Sequence, residues 1–256
     1  MKFAIIVVGS VFAATAAEAG TLYTVRTSDD MLRALDTNTR LFTDIGVLGA
    51  PFDFGGLAWD STNQTMYMVT GFADTNLYTV DLNNGSAGLV GSHGFTDMFG
   101  LAYDPTTDTL YSSRSTTGQG FYSLDRSNGS ANFIGNPGVN LDGLAYDSKR
   151  DMIVGAVAGP GDLYDIDRAD GSATLLFDGP FFNNAGLAYD PDTDLLWMID
   201  WSGNLYTFDP NAGYSRTLIM SGLGAHDGLE WVPVPGAWAL LSVGALGLGR
   251  SRRRRA

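Results

Sequence analysis

Five times along the chain a glycine opens the same short stretch. It reads GLAWD from Gly56 to Asp60, GLAYD at Gly100 to Asp104, Gly143 to Asp147 and Gly186 to Asp190, and a truncated GLEW at Gly228 to Trp231. Successive glycines stand 44, 43, 43 and 42 residues apart. A fixed period of that size belongs to repeat architectures, in which each unit buries its face only by stacking on the next.

Each repeat holds four short runs of strand character. In the second, Gly100 to Asp104 is followed by the turn residues Pro105-Thr-Thr-Asp108, then Thr109-Leu-Tyr-Ser-Ser, Gly120-Phe-Tyr-Ser-Leu and Ser130-Ala-Asn-Phe-Ile. Apolar and polar residues alternate within the runs, and Asn-Gly, Asp-Gly or Asp-Pro punctuation separates them, which is the pattern of antiparallel hairpins. No helical periodicity of useful length appears outside the two ends. Leu22 to Arg26, Met31 to Asp36 and Arg40 to Gly46 match the second, third and fourth strands of a repeat. The missing first strand is GLEW at the far end. A chain that starts with the last three strands of a repeat and finishes with the first strand closes a ring and removes its exposed edges. Gly20 to Trp231 spans 212 residues, or about 42 per unit for five units. The expectation is an all-β fold: a five-bladed β-propeller of four-stranded antiparallel blades, closed by pairing of the N- and C-terminal strands. Gly56, Gly100, Gly143, Gly186 and Gly228 then have a structural role, with small residues on one face of each inner strand and large ones on the other.

The GLAYD stretch followed by an xLY strand resembles NHL-type and related secreted propeller repeats. That resemblance implies a scaffold and carries no activity. The ends add an address. Met1 to Ala19 has Lys2, an apolar run and an Ala17-Glu18-Ala19 cleavage pattern, and reads as a secretory signal peptide. Residues 232–256 comprise Val232-Pro-Val-Pro235, an apolar stretch from Gly236 to Gly249, and a cluster of arginines at Arg250 and Arg252 to Arg255. This three-part tail resembles the PEP-CTERM sorting signal of Gram-negative bacteria, with Val234 where that motif carries Glu. The resemblance implies export to the cell envelope or extracellular matrix and an exosortase-type protease as partner. It also implies transient association of the tail with the inner membrane through a short C-terminal helix, the arginines holding its cytoplasmic end. An ordinary tail anchor is the other reading.

Without the leader and tail, the 15 basic and 28 acidic residues fall to 9 and 27, a net charge of −18. Such a surface repels nucleic acid and anionic lipid. Cysteine is absent, so stability comes from packing and not from disulfides. The expectation is a monomer.

In a propeller the loops before each inner strand share one face with the loops between second and third strands. The latter differ from blade to blade, and variable loops on a rigid scaffold are where binding lives. Just before the inner-strand glycines stand Asp53, Asp97, Asn140 with Asp142, Asn183 with Asn184, and His226 with Asp227. Five blades bring these round one channel mouth as an oxygen-rich ring. Asp53, Asp97, Asp142 and Asp227 are candidate Ca²⁺ ligands, and an Asp and Asn rim also suits a glycan or protein partner. The same residue types favour turns for local reasons, so both readings stand. Trp201, outside the blade register on the variable face, is a candidate stacking residue. No G-x-S-x-G, H-E-x-x-H or P-loop occurs in the propeller region. Two histidines, His93 and His226, are too few for a multi-histidine metal centre, and Glu230 is the one glutamate between the leader and the tail. The leading reading is a secreted, non-catalytic binding or matrix module. The rival is a hydrolase or lyase at the channel mouth using Asp53, Asp97, Asp142 and His226.

Overall fold

The computed structural model describes residues 20–115, 119–157, 159, 161–180 and 184–233. The proposed leader, Asn183 and the tail beyond Pro233 lie outside the described residues. The strands fall into five antiparallel sheets. The closing blade joins β1 (Thr21–Arg26), β2 (Met31–Asp36) and β3 (Phe42–Val47) to the last strand of the chain. The first whole blade is β4 (Gly56–Asp60), β5 (Thr65–Val69), β6 (Asn76–Val80) and β7 (Ala87–Ser92), and the second is β8 (Met98–Asp104), β9 (Thr109–Arg114), β10 (Gly120–Leu124) and β11 (Ala131–Gly135). The third is β12 (Leu141–Asp147), β13 (Met152–Val157), β14 (Leu163–Ile166) and β15 (Ala173–Phe177). The fourth is β16 (Asn184–Asp190), β17 (Leu195–Asp200), β18 (Leu205–Asp209) and β19 (Ser215–Met220), followed by β20 (His226–Val232). The fold is the five-bladed β-propeller that the repeat implies. Among the described residues the one helical element is a single 3-10 turn, Pro210–Ala212, and no helix is long and apolar enough to cross a membrane.

The ring closes where β20 pairs antiparallel with β1, from Thr21 opposite Val232 to Arg26 opposite His226. Val232, the first residue of the tail motif, is thus the last residue of the closing strand.

Alternation along the inner strands fills the seams between blades. Leu101 packs toward the first blade with Ala58, Tyr67 and Leu77, whereas Ala102 packs toward the third with Leu144 and Ile153. The same split places Leu187 against the third blade and Ala188 against the closing blade. Five apolar clusters result, one in each seam. The repeat glycine lies on the alanine side, facing the next blade. A Cβ on Gly56 would stand 2.2 Å from the carbonyl oxygen of Phe99, and one on Gly186 would stand 2.6 Å from the backbone nitrogen of Leu229. Only glycine permits that approach of neighbouring backbones.

One seam is wider. At Gly228 the nearest atom to a Cβ would be Leu57 Cγ at 3.1 Å. Here Glu230 takes the place of the repeat alanine. Its carboxyl is enclosed by the backbone N–H groups of Trp231 and Trp59, one from each side of the seam, and burial holds its pKa well above the usual carboxylate range.

Two predictions follow from this packing. Gly56→Ala is expected to lower stability by about 3 kcal/mol because backbone and not side chain must move, whereas Gly88→Ala in the outer strand, where a Cβ meets only Thr79 Oγ1 at 3.1 Å, stays within about 0.5 kcal/mol. Paired thermal melts read the difference. For Glu230 the fold favours the protonated acid, so stability is full below the ordinary carboxylate range and falls as pH rises through the raised pKa. Glu230→Gln should therefore raise the melting temperature at about pH 8 and leave it unchanged at about pH 3.

Candidate functional site at the channel mouth

The axis of the propeller is lined by Gly55, Gly56, Gly100, Gly143, Gly186 and Gly228 with the leucines that follow, and by Asp142. Its cavity measures about 10 Å³, the room of a single water. Nothing larger than a water fits there, and a cavity of about 580 Å³ lies off the axis between the first and second blades, lined by Asn63, Tyr67, Asp108, Ser123, Arg126 and Asn132 among others.

A β-bulge shapes the mouth on the variable-loop side. The register of β12 shifts between Leu141, opposite Val157, and Gly143, opposite Ala156, leaving Asp142 as the extra residue. Similar shifts occur in β8 and β16, and in the β20 pairing, where Gly228 is the extra residue at φ +58°. Bulges of this kind re-aim side chains. The position directly before the glycine is held by Gly55, Phe99, Asp142, Ala185 and Asp227. Asp227 is 1 % exposed; its Oδ1 accepts from the N–H of Gly228 at 2.7 Å and its Oδ2 has no partner. Burial, reinforced by the like charges of Asp142 and Asp53, raises its pKa well above that of a free carboxyl. Burial also raises the pKa of Asp53. The hydroxyl of Ser115 donates to Asp142 Oδ1. Asp53, Asp142 and Asp227 are thus brought into one electrostatic neighbourhood.

Other residues of the expected ring are engaged elsewhere. Asp97 forms a two-point ion pair with Arg114, at 2.7 and 3.0 Å, and the guanidinium lies 4.3 Å over Phe95. His226 is fully buried: Nε2 lies 3.2 Å from Arg33 Nη1, Nδ1 lies 3.2 Å from the carbonyl oxygen of Gly224, and the ring faces Phe42. That pattern fixes a neutral ring with the proton on Nδ1, and burial lowers its pKa. Asn140 is exposed, and Asn184 opens β16 opposite Asp200. Among the described residues no three His, Cys, Asp or Glu side chains meet in metal-holding geometry.

On the same face Trp201, the expected stacking residue, joins an aromatic platform whose other members residue pattern alone did not indicate. Trp201 stacks on Phe54 with centroids 4.3 Å apart and planes 12° from parallel. Phe72 meets Phe54 and Phe99 edge-on, at 5.8 and 4.8 Å. Trp201 comes from the fourth blade, Phe54 and Phe72 from loops of the first, and Phe99 from the second. The Phe54–Trp201 stack therefore spans the closing blade. Phe54 adopts φ +58°, a left-handed conformation that a bulky side chain rarely takes. It is held there by Gly71, at φ +62°, whose backbone bridges to Asp53 and Met98. Phe72 is 45 % exposed. No sequence signal marks this cluster: the position of Phe54 is held in the other blades by Met98, Leu141, Asn184 and His226, and that of Phe99 by Gly55, Asp142, Ala185 and Asp227.

The opposite mouth is a funnel of about 160 Å³, lined by Trp59, Tyr103, Tyr146, Tyr189, Trp231 and Glu230, with Pro105, Pro191 and Pro233 at its rim. Its acids belong to the scaffold. Asp60, Asp104, Asp147 and Asp190 each accept a backbone N–H two residues ahead, at 2.7–3.0 Å, and hold the first hairpin turn. The Asp190 to Asp194 run is such a turn. Arg126, Arg150 and Arg168 tie these turns across blade seams.

Fold and site together define a five-bladed β-propeller with a narrow axis and, at one mouth, a buried acid and an aromatic cluster. No protein-family model matches the chain, and no curated protein matches it significantly. Among solved structures, a chain of a nidogen/laminin complex superposes with a TM-score of 0.58 at 11 % identity, covering 83 % of this chain and 98 % of its own length. A structural-genomics protein of unknown function from Bacteroides thetaiotaomicron gives a TM-score of 0.60 at 15 % identity, over 85 % of this chain and 62 % of its own. At these identities the likeness is one of fold.

Of the two histidines, His93 gives the clearer acid response. It is 5 % exposed with Nε2 unpartnered, and burial pushes its pKa down to about 4. A pKa lowered in the fold means that the unfolded chain takes up the proton first, so stability is expected to fall as pH drops from 6.5 toward 4. His93→Gln should flatten that slope in denaturant melts run at stepped pH.

Proposed function

We propose that this chain is an exported, non-catalytic propeller that works as a binding or matrix module of the cell envelope or extracellular polymer. The leader-like N-terminus and the PEP-CTERM-like tail support the address, with an exosortase-type protease acting on the tail and its apolar stretch resting transiently in the inner membrane. The aromatic platform is the single observation that supports binding. Four rings from three blades are gathered on the variable-loop face, one of them in a strained backbone and one 45 % exposed, at the end of an axis with room for a single water. Flat aromatic rings beside carboxyl groups suit the apolar faces and hydroxyls of sugar rings, which makes a glycan the favoured partner and a protein the alternative. The nidogen/laminin complex is a precedent for the fold within a protein assembly and lends nothing more specific. The hydrolase or lyase reading gains no support from the mouth, because His226 and Asp97, two of its four proposed groups, are turned to Arg33 and Arg114.

Full-length protein titrated with a panel of bacterial exopolysaccharides and oligosaccharides, followed by tryptophan fluorescence, tests this. At least one glycan class is expected to bind, with Trp201→Ala and Phe72→Ala each weakening it about tenfold or more. A panel without binders, or binding that both variants retain, removes the platform from consideration.

A further inference from the structure

The funnel on the face opposite the platform is built in layers, and one residue in it departs from the repeat. Ser61, Pro105, Ser148, Pro191 and Pro233, each five residues past its repeat glycine, form the rim. Trp59, Tyr103, Tyr146, Tyr189 and Trp231, each three past the glycine, form a ring of five aromatic side chains, one from every blade. One position deeper along the inner strands the repeat places alanine. The closing strand places Glu230 there instead, and this residue lines the same cavity.

Oε1 of Glu230 accepts the N–H of Trp231 at 2.9 Å, and the N–H of Trp59 meets the carboxyl from the other side of the seam. Two donors so placed favour the carboxylate, yet burial outweighs them. What the group lacks is a counter-charge, since among the described residues no basic side chain lines the funnel. The fold does not need this acid, which lowers stability as the pH rises. Departures of this kind from a repeat's own packing rule belong to functional positions.

Wall and size select the ligand. The phenol oxygens of Tyr103, Tyr146 and Tyr189 are engaged by Asp108, Asp151 and Asp194, at 2.7, 2.9 and 2.7 Å, which leaves the rings as the wall. Aromatic rings around a carboxyl attract a cation. A primary ammonium carries three N–H donors that such a wall cannot satisfy, whereas a fully alkylated one has none. The cavity of about 160 Å³ is smaller than those that enclose whole ligands, so it takes a head group.

We propose that the funnel binds the quaternary ammonium group of a water-soluble small molecule, with the five rings against its alkyl groups and Glu230 as its counter-ion. This site lies on the opposite face from the platform and is independent of what the platform binds.

The test is calorimetric titration of the full-length protein with tetramethylammonium chloride at about pH 8, at constant ionic strength, with tert-butanol as a neutral molecule of similar bulk. Saturable binding of the cation is expected, and none of the alcohol. Glu230→Gln, the more stable protein at that pH, should weaken binding about tenfold or more, and Trp59→Leu about threefold or more. Because the cation favours the carboxylate, affinity in the parent should rise with pH, by up to about tenfold per unit, and stay flat in Glu230→Gln. Tyr23, the register partner of Glu230 on β1, and the funnel phenols have pKa values raised by burial and remain neutral over that range. No saturable binding up to about 10 mM, equal binding of tert-butanol, or full affinity in Glu230→Gln overturns the proposal. Phosphatidylcholine vesicles should leave the titration unchanged; competition by them would make a lipid surface the partner and overturn the soluble ligand.

Discussion

The approach of neighbouring inner strands at the repeat glycines is the constraint from which the rest follows. Where Gly56 faces Phe99 and Gly186 faces Leu229, backbone lies against backbone with no room for a Cβ. Close contacts of this kind hold the ring tight, and the axial cavity keeps room for a single water. Larger rings leave a channel for ligands to enter. This one does not: its bore has room for a single water.

Acidity in this protein is chiefly a device of its turns. Asp36, Asp81, Asp125, Asp167 and Asp209 accept backbone N–H groups two residues ahead and hold the outer hairpins, as Asp60, Asp104, Asp147 and Asp190 hold the inner ones. An aspartate so used satisfies its charge locally and signals no site. Asp53, Asp142 and Asp227 stand apart from this scheme. They occur where the repeat departs from itself, at bulges and loop junctions, and two of them carry the cost of burial in a raised pKa.

The ring was legible because its signal is redundant. Period, strand alternation and the split closing blade each point to the same architecture, and the tight glycine contacts explain why the motif recurs with so little variation. The mouth was legible only in part. Position before the glycine located Asp142 and Asp227, yet residue type could not tell a free carboxyl from Asp97, whose partner Arg114 lies 17 residues away and meets it only across paired strands. His226 is likewise decided by Arg33, 193 residues distant in sequence. The aromatic platform draws its four residues from three blades without any local pattern, so nothing short of the folded ring assembles it. Glu230 was visible as a departure from alanine, but its reason, a wider seam bridged by two N–H groups, is a property of the closure.

Pro233 lies at the rim of the funnel, on the face opposite the aromatic platform. It follows without a spacer from Val232, which is still paired with Thr21 in the closing strand. Thr21 and Val232 therefore lie side by side, and both ends of the ring sit at the funnel face, at the far end of the inner strands from the platform.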